Sequence, residues 1–499
     1  MGENEQEFDL LIIGGGVNGA GIARDAAGRG LNVVLCEMDD LASATSSAST
    51  KLFHGGLRYL EQYAFRLVRK ALREREVLLG NMPHIARPMR FVLPFTPGAR
   101  PAWLLRLGLF IYDHLGGRRL LPPTRTLDLT VDPAGRVLRP GFRKAFEFSD
   151  VAVDDARLVV LNARDAADRG ASILTRTRVI AARRDGERWQ VEVENRRTRK
   201  RRFLGARAVV NAAGPWVNQV LEAAVGQPAN DPIRLVRGSH IVTARLFDHN
   251  RAYFFQNADG RIIFAIPYQQ DFTLIGTTDR DHAGDPASAT CTASEAEYLC
   301  SAASEYFREP IRADDIVWSF AGVRPLDDAG DKNPSEASRD YHLEIADADG
   351  ALPLISVYGG KITTYRKLAE QVVGALGRYL PLNAADWTSN APLPGGDFMI
   401  DQREAQIVRL HADYPFLTRR NAERLFSGYG TQSWRVLGDI DDVAEDFGGG
   451  LLEAELRWLC DHEWAETVDD VIWRRTKCGL RMSADEITRL AGWLADRDP

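Results

Sequence analysis

The fold is decided near the start of the chain by the stretch Asp9-Leu10-Leu11-Ile12-Ile13-Gly14-Gly15-Gly16-Val17-Asn18-Gly19, an apolar run that enters a glycine-rich turn. The run before the glycines is typical of a buried strand, and the small and apolar residues of 20–29 suit a helix. A second apolar run, 32–36, follows and ends at Glu37. The stretch therefore predicts a strand–helix–strand unit.

The glycines of this turn follow the pattern G-x-G-x-x-G at Gly14, Gly16 and Gly19. The first allows a tight turn, the second lets the backbone approach a pyrophosphate, and the third lets helix and strand pack closely. Glu37 lies 18 residues beyond the last glycine, where a carboxylate accepts hydrogen bonds from ribose hydroxyls. We predict a dinucleotide site built from these residues and Asn18, although the pattern does not separate NAD from FAD.

The composition is that of a globular protein, because 45% of the 499 residues are hydrophobic and 26% are charged. This excludes a disordered or collagen-like chain, and the length suggests about three domains. The net charge of −6 argues against a nucleic-acid binder with a basic surface, so we expect no nucleic-acid partner. The five cysteines are scattered without a C-x-x-C pattern, which predicts a reducing compartment, no disulfide framework and no metal site.

The rest of the chain divides into predicted helices and strands. After a Ser/Thr-rich stretch we expect a charged helix over 57–80 and Pro-rich loops over 83–101. Strand signals dominate 233–278, which predicts an antiparallel sheet separate from the N-terminal unit. A strand at 355–358 runs through Gly359-Gly360-Lys361 into a helix, and the last part of the chain is helical in pattern.

Two later glycine-containing segments bear on the cofactor. The segment 209–215 (VVNAAGP) is a strand followed by small residues, including Gly214, that let the backbone approach a ligand. Lys361 precedes the start of a helix. A cation and a helix N-terminus at the pyrimidine end of a flavin stabilise the negative charge that reduction places near N1. A structural turn and a solvated lysine are the alternative interpretation.

Six short segments in the chain have a distinctive composition: 44–60 (ATSSASTKLFHGGLRYL), 238–240 (GSH), 322–326 (GVRPL), 338–341 (SRDY), 359–367 (GGKITTYRK) and 473–477 (WRRTK). Together they resemble the signature of FAD-dependent glycerol-3-phosphate dehydrogenases, and the resemblance runs in order from about Asp9 to Lys477. Thr50 and Phe53 stand where we expect Ser and Ile in that family, which are mild changes.

The resemblance implies an α/β fold with an added α domain: a Rossmann-like FAD-binding domain, an antiparallel-sheet substrate domain of the D-amino-acid-oxidase type, and an all-α C-terminal cap. It implies non-covalently bound FAD, oxidation of sn-glycerol 3-phosphate to dihydroxyacetone phosphate, and a membrane quinone as acceptor. Such an enzyme is peripheral (monotopic) on the cytoplasmic face of the cell membrane, and a homodimer is compatible with it. The domains comprise 1–80, 150–230 and 345–385 for FAD, 81–149 and 231–344 for substrate, and 397–499 for the cap.

A phosphate ester needs charged donors, and Arg58, Arg324 and Arg339, in three separate motif segments, suit a phosphate clamp. Tyr59 and Lys361 add donors to it. In an arginine-rich chain, each of these arginines is also compatible with a structural ion pair. The resemblance implies further contacts with the cofactor, from Ser46, Ser47, Lys51, His54, Gly55, Gly56, Val179, Gly214, Gly359, Gly360, Lys361 and Thr363.

Oxidation of a secondary alcohol requires a base for the hydroxyl proton while the C2 hydride moves to flavin N5, and histidine suits this near neutral pH. We assign the base to His240, since its strand-rich segment is expected to form the substrate wall. We expect Arg324 to polarise the alcohol and His54 to pack beside the flavin. A lone histidine is also often a core or surface residue without a catalytic role.

Two segments bear on the surface of the protein. Segment 100–112 (RPAWLLRLGLFIY) suits either a bilayer interface that admits quinone or an ordinary buried helix. No charge-free apolar run reaches the ~18 residues of a spanning helix, and the polar N-terminus predicts no signal peptide. Segment 196–202 places six cations in seven residues, and a solvated hairpin tip is favoured over contact with anionic lipid or nucleic acid.

Two other functions stay open at the level of sequence. A related FAD oxidase of an amine or hydroxy compound passes its electrons to oxygen, although an amino acid needs one carboxylate clamp rather than several cations. A non-catalytic flavin-binding sensor keeps the glycine turn and Glu37, yet does not need Arg58, His240 and Arg324 together.

Overall fold

The computed structural model describes residues 6–60, 63–95, 101–229, 232–257, 260–327, 340–439 and 445–497. The strands are β1 Gln6–Ile13, β2 Val33–Cys36, β3 Leu52–Phe53, β4 Ala86–Pro94, β5 Arg125–Asp128, β6 Lys144–Val153, β7 Ser172–Leu174, β8 Thr177–Asp185, β9 Arg188–Asn195, β10 Arg201–Asn211, β11 Ile233–Ala244, β12 Ala252–Gln256, β13 Ile262–Tyr268, β14 Phe272–Gly276, β15 Arg280–Asp281, β16 Ile316–Asp327, β17 His342–Ala348 and β18 Ala351–Tyr358. The helices are α1 Val17–Gly28, α2 Phe65–Asn81, α3 Ala102–Leu115, α4 Asp155–Asp168, α5 Val217–Gln219, α6 Ala293–Ser304, α7 Tyr365–Leu376, α8 Arg403–Asp413, α9 Arg419–Tyr429, α10 Ser433–Leu437, α11 Glu453–His462 and α12 Ala484–Arg497.

The first sheet is parallel at its centre, in the order β18-β10-β1-β2-β7. Strand β17 joins β18 in the antiparallel sense, and β9 and β8 continue in the same sense from β10. The carboxyl ends of the parallel strands lie together, which is where open α/β sheets bind ligands. The predicted strand–helix–strand unit is confirmed as β1, α1 and β2.

Helices α1, α4 and α7 cover one face of this sheet with small and apolar residues. Helix α1 lies close to β1 because Gly19 has no side chain: a Cβ there would lie 1.9 Å from the carbonyl oxygen of Gly14. Gly14 has φ +107°, a conformation that favours glycine. Helix α4 begins at a capping residue, with the Asp154 carboxylate accepting a hydrogen bond from the N–H of Arg157.

The second sheet is mainly antiparallel and runs β15-β11-β14-β13-β12-β4-β6-β3, with β16 on β11 and β5 on β6. The antiparallel sheet predicted over 233–278 is confirmed by β11 to β14. The Pro-rich loops predicted over 83–101 are wrong in part, because β4 lies there and pairs along its length with β6. Pro88 is tolerated since β4 pairs with β12 only at Phe91 and Val92, which leaves Pro88 at an edge.

The charged helix predicted over 57–80 is shorter than expected. The segment Leu57–Leu60 forms a 3₁₀ turn, and α2 begins only at Phe65. Tyr63, just before α2, has φ +57°, a left-handed conformation that does not belong to a right-handed helix. The residues around Gly56 therefore form a turn of their own.

The two sheets are interleaved along the chain. Strand β3 comes from the segment 1–80 that we assigned to the FAD-binding domain, yet it pairs with β6 in the second sheet. The expected boundary between 344 and 345 falls inside β17, which belongs to the first sheet. A strand belongs to the sheet that supplies its hydrogen-bond partners, and a boundary drawn along the sequence does not contain that information. The division into domains stays a prediction.

Helices α8 to α12 pack around a core of their own, and we call this part the helical domain. Buried ion pairs join it to the rest of the protein. Arg157 of α4 pairs with Glu463, with 3.0 Å between Nη2 and Oε1, and Arg157 Nε donates to the carbonyl oxygen of Gly428. Among the described residues, no helix has the length and apolar character needed to cross a membrane.

We predict that Glu463→Gln destabilises the protein, because it leaves the buried Arg157 guanidinium without its counter-charge. The two side chains are 2% and 1% exposed, and removing one partner of such a pair costs about 3–5 kcal/mol. Differential scanning calorimetry measures the change in unfolding temperature. Arg199→Gln is the matched control, since that side chain is 75% exposed and its ion pair contributes little. Equal unfolding temperatures for the two variants would contradict the prediction.

Candidate active site

A cavity of about 1220 Å³ lies where the carboxyl ends of β1, β2 and β10 meet β11 and β16 of the second sheet. This is larger than the roughly 300–1,000 Å³ of most small-molecule sites. Its lining includes Glu37, beside the glycine turn, and His240 and Arg324 from the second sheet. The cavity therefore has room for an elongated dinucleotide and a second, small molecule.

Most of the predicted site residues lie on the wall of this cavity. Arg339 lies outside the described residues, and the side chain of Arg58 is not described, so the phosphate clamp stays a prediction. Gly19, Lys51, Gly55 and Thr363 are described but are not among the lining residues. The predicted residues that line the cavity are Gly14, Gly16, Asn18, Glu37, Ser46, Ser47, His54, Gly56, Tyr59, Val179, Gly214, His240, Arg324, Gly359, Gly360 and Lys361.

Glu37 ends β2 and turns its carboxylate toward the glycine turn. Its Oε2 accepts a hydrogen bond from the N–H of Gly15 at 2.6 Å, and its Oε1 accepts one from the N–H of Asp39 at 2.8 Å. Burial raises the pKa of Glu37 to about 7 despite these two donors. The carboxyl group is thereby held in one orientation with lone pairs to spare, which suits the predicted contact with ribose hydroxyls.

The turn before α1 fits a dinucleotide. The Oδ1 atom of Asn18 is buried and has no hydrogen-bond partner among the described residues, while its Nδ2 donates to the carbonyl oxygen of Gly359 at 3.3 Å. Ser46 Oγ accepts a hydrogen bond from the N–H of Val17, the first residue of the helix, at 2.9 Å. An unpaired acceptor beside a helix N-terminus suits a ligand that carries both a donor and a pyrophosphate.

Lys51 is not among the residues that line the cavity, and its contact with the cofactor stays a prediction. Its Nζ lies 2.7 Å from Asp155 Oδ1 and donates to the carbonyl oxygen of Ser47 at 2.9 Å, and the side chain is 6% exposed. The ion pair ties the Ser/Thr-rich segment to the start of α4. The sequence does not reveal that a buried carboxylate from 104 residues further along lies beside this lysine.

Three other predicted contacts support the cavity wall from behind. Gly55 donates its N–H to Tyr112 Oη at 2.7 Å, and Thr363 Oγ1 accepts a hydrogen bond from the N–H of His54 at 3.3 Å. Gly19 packs α1 against the strand. These residues fix the position of backbone segments whose neighbours, His54 and Gly56, line the cavity.

His240 lies on β11 and is 2% exposed. Its Nε2 lies 3.0 Å from Thr50 Oγ1, and its Nδ1 has no hydrogen-bond partner among the described residues. The ring stacks on Phe320 at 5.0 Å between centroids. Burial, together with the positive charges of Lys51 and Arg324, lowers the pKa of His240 to about 3. The imidazole is therefore neutral near pH 7.

Two cationic side chains share the cavity with this imidazole. Arg324 of β16 donates from Nη2 to the carbonyl oxygen of Thr278 at 3.1 Å and pairs with the carboxylate of Asp279. The Nζ of Lys361 lies 4.1 Å from the ring centroid of Tyr59. A neutral base can take the proton of an alcohol, and two cations can bind a negatively charged group on the same molecule. The cavity therefore suits the deprotonation of an alcohol that also carries an anionic group.

Sequence reasoning missed several residues that line the cavity, namely Thr50, Asp279, Trp318, Phe320 and Trp473. One signal was present in the sequence. Side chains two apart in a strand share a face, so the face of β16 that carries Arg324 also carries 318 and 320. The others depend on contacts between distant segments, such as the hydroxyl of Thr50 against His240.

The basic segment 196–202 is the tip of the hairpin between β9 and β10, and acidic side chains surround it. Arg196 pairs with Asp39, and Arg197 pairs with Glu466 of the helical domain at 2.9 Å. Glu194 accepts hydrogen bonds from Arg199 and from Arg201. These pairs favour the predicted solvated hairpin tip over a patch that binds an anionic partner.

Two families match the chain. The family described as FAD dependent oxidoreductase matches residues 9–366, and the family described as the C-terminal domain of alpha-glycerophosphate oxidase matches residues 387–492. The first match covers more than half of the chain and includes both sheets. The second covers most of the helical domain.

Relatives of known name are similar over almost their full length. The aerobic glycerol-3-phosphate dehydrogenase of Escherichia coli K12 is 49% identical over 491 residues, covering 98% of this chain and 97% of the relative. The D-erythritol 1-phosphate dehydrogenase of Brucella abortus is also 49% identical, over 488 residues and 97% of each chain.

The structure of the glycerol-3-phosphate dehydrogenase from Bacillus halodurans, complexed with FAD, has a TM-score of 0.75 at 28% identity. It covers 99% of this chain and 94% of that one. The predicted fold class, a D-amino-acid-oxidase-like FAD-binding architecture with a helical C-terminal domain, is thereby confirmed. The chain belongs to the family of FAD-dependent glycerol-3-phosphate dehydrogenases, and FAD is its cofactor.

Proposed function

We propose that this protein oxidises sn-glycerol 3-phosphate to dihydroxyacetone phosphate, by loss of the C2 hydride to FAD, and passes the electrons to a membrane quinone. The observation that carries the proposal is the buried imidazole of His240 in a cavity that Arg324, Lys361 and the dinucleotide turn also line. FAD, when bound, supplies the hydride acceptor at flavin N5.

The chain's own residues perform the remaining steps. His240 takes the C2 hydroxyl proton, and Thr50, 3.0 Å from its Nε2, orients the ring. Arg324 stabilises negative charge on the alcohol oxygen as the proton leaves. Lys361 and Tyr59 bind the phosphate, together with Arg58 and Arg339 of the predicted clamp. Burial keeps the imidazole neutral before the reaction, so one ring nitrogen has a lone pair for the hydroxyl proton.

A longer polyol phosphate is the second candidate substrate. The relative from Brucella abortus that is named D-erythritol 1-phosphate dehydrogenase has the same identity to this chain as the enzyme from Escherichia coli. Both molecules carry a terminal phosphate ester and a secondary alcohol, so the same base and cations serve both. The ratio of their kcat/KM values distinguishes them.

The direct test of the function is anaerobic reduction of the purified holoenzyme. Addition of sn-glycerol 3-phosphate is expected to bleach the flavin absorption near about 450 nm, because two electrons enter the cofactor. A quinone analogue, added afterwards, is expected to restore the colour faster than oxygen does. Absence of bleaching with this substrate, together with bleaching by D-erythritol 1-phosphate or an amine, would reject the assignment.

We predict that His240→Gln lowers kcat about 10²- to 10⁴-fold, because no other group in its place takes the hydroxyl proton. The wild-type rate is expected to stay flat as the pH falls from 7 to 5. A base with its pKa lowered to about 3 remains unprotonated over that range, unlike an ordinary histidine. Steady-state kinetics measure both effects, and the flavin spectrum of the variant checks that FAD is retained. A rate that falls through pH 6.5 would contradict the depressed pKa.

We propose that quinone reaches this enzyme from the membrane at α3. The helix buries Leu109 and Tyr112, yet its other face exposes Trp103, Leu107 and Phe110, at 68%, 48% and 58%. This distribution favours the interfacial interpretation of segment 100–112 over an ordinary buried helix. We propose that α3 lies on the cytoplasmic face of the cell membrane.

We predict that the double variant Trp103→Glu, Leu107→Glu reduces binding to liposomes in a flotation assay, because two charges replace side chains that enter the interface. Val131→Glu is the matched control, since Val131 is 78% exposed and lies outside α3. Unchanged flotation of the double variant, or equal loss in the control, would reject α3 as the membrane face.

A further inference from the structure

Among the described residues of the helical domain, one segment reaches the cavity. The π-helical turn Asp470–Arg475, which contains the start of the motif at 473–477, places Trp473 and Arg474 on the wall of the cavity. The buried apolar residues of the domain's own cluster pack against one another, and buried ion pairs such as Glu463–Arg157 join the domain to the rest of the protein. Single π-helical turns are rare in proteins, and those that do occur are frequently found at functional sites.

A stack of aromatic rings leads from this segment to the base. Trp473 stacks on Trp318, with 4.5 Å between ring centroids and 8° between the planes. Trp318 lies 4.8 Å from Phe320, and Phe320 stacks on His240 at 5.0 Å and 13°. Phe320 is also the register partner of His240 in the pair of β11 and β16. The stack therefore crosses from the helical domain to the catalytic imidazole.

This stack fixes the plane of the imidazole. A single hydrogen bond between Thr50 Oγ1 and Nε2 leaves the ring free to rotate about that contact, and Nδ1 has no partner among the described residues. Phe320 covers one face of the ring. On the other side lies Gly276, where a Cβ would be 2.1 Å from His240 Cδ2. The ring is thus held between a phenyl group and a backbone.

Trp318 is half-buried against the core of the second sheet, on a strand that pairs only with β11 among the described strands. Trp473, stacked on Trp318, adds cover from the helical domain. It is itself held by charge: Arg474 Nε lies 2.6 Å from Asp40 Oδ2, and Arg475 donates to both oxygens of Asp40 at 2.7 and 2.8 Å.

We infer that Trp473 is a positioning residue for His240, so that the helical domain orients the base through the aromatic stack. This inference rests on the proposed function only in naming His240 as the base. Aromatic pairs of this kind contribute enough to change the population of a catalytic orientation about two- to tenfold.

The stack contributes to the burial of the imidazole, since Phe320 covers one face of a ring that is 2% exposed. The charged groups around His240 are Lys51 and Arg324, whose carboxylate partners are Asp155 and Asp279. Both cations and burial oppose protonation of the ring. Loss of Trp473 admits water while these charges stay, so the pKa of His240 rises toward its ordinary value and protonation begins at higher pH.

The test compares Trp473→Leu, which keeps apolar volume without a ring, with Trp473→Phe, which keeps a ring. Trp473→Leu is expected to lower kcat about two- to tenfold with little change in KM, and to move the acid limb of the pH–rate profile upward. Trp473→Phe is expected to restore most of the rate. Trp434→Leu is the control, because Trp434 is a half-buried tryptophan of the same domain that does not line the cavity.

A second readout does not depend on turnover. Diethylpyrocarbonate acylates accessible neutral imidazoles, and peptide mass spectrometry measures the rate at His240. The rate is expected to rise in Trp473→Leu and to stay at the wild-type value in Trp434→Leu. If Trp473→Leu does not retain FAD, Trp473→Met takes its place.

The outcomes separate the inference from the proposed function. A wild-type enzyme that does not oxidise the phosphate ester rejects the function, while the acylation rates still decide the role of Trp473. A Trp473→Leu variant with the wild-type pH profile and the wild-type acylation rate at His240 overturns the inference. Loss of rate in Trp434→Leu equal to that in Trp473→Leu overturns it as well, because the effect is then one of the domain's stability.

Discussion

The close approach of three backbone segments, at Gly14, Gly19 and Ala212, is the constraint on which the cavity depends. A Cβ on Gly14 would lie 2.6 Å from the carbonyl oxygen of Ala212, and one on Gly19 would lie 1.9 Å from that of Gly14. Because no side chain separates them, β1, α1 and the end of β10 converge. The first turn of the helix and the strand ends are then exposed together to a ligand's phosphates.

Buried ion pairs hold the Ser/Thr-rich segment and the helical domain against the part of the protein where these three backbone segments meet. Lys51 and Asp155 fasten the Ser/Thr-rich segment to α4, and Asp40 fastens the helical domain beside Glu37. Arg475 and Arg474 hold the pKa of Asp40 well below its ordinary value, so that carboxylate is charged throughout the physiological range. Such pairs add little net stability, yet breaking one is costly, so they specify which segments meet. They hold the walls within which a neutral imidazole and two cations coexist.

The parts of the fold that the sequence predicted have local signals. The β1–α1–β2 unit follows from the spacing of glycines and apolar residues, and the antiparallel strands β11 to β14 follow from the strand signals over 233–278. The parts that it did not predict depend on partners. Strand β4 forms despite Pro88 because β6 pairs along it, and the interruption before α2 depends on the left-handed conformation of Tyr63. The secondary-structure propensities of the residues alone predict neither strand β4 nor the interruption before α2.

The same division holds at the active site. The sequence by itself determined the dinucleotide turn, the family and the identity of His240, Arg324 and Lys361 as candidates, because those signals lie within short motifs. Only the tertiary structure shows that Lys51 forms an ion pair with Asp155 and that Trp473 lines the cavity. The physical reason is that burial and pairing are properties of the space between segments. The sequence states the chemical type of each residue, but the packing of distant segments determines which residue it contacts.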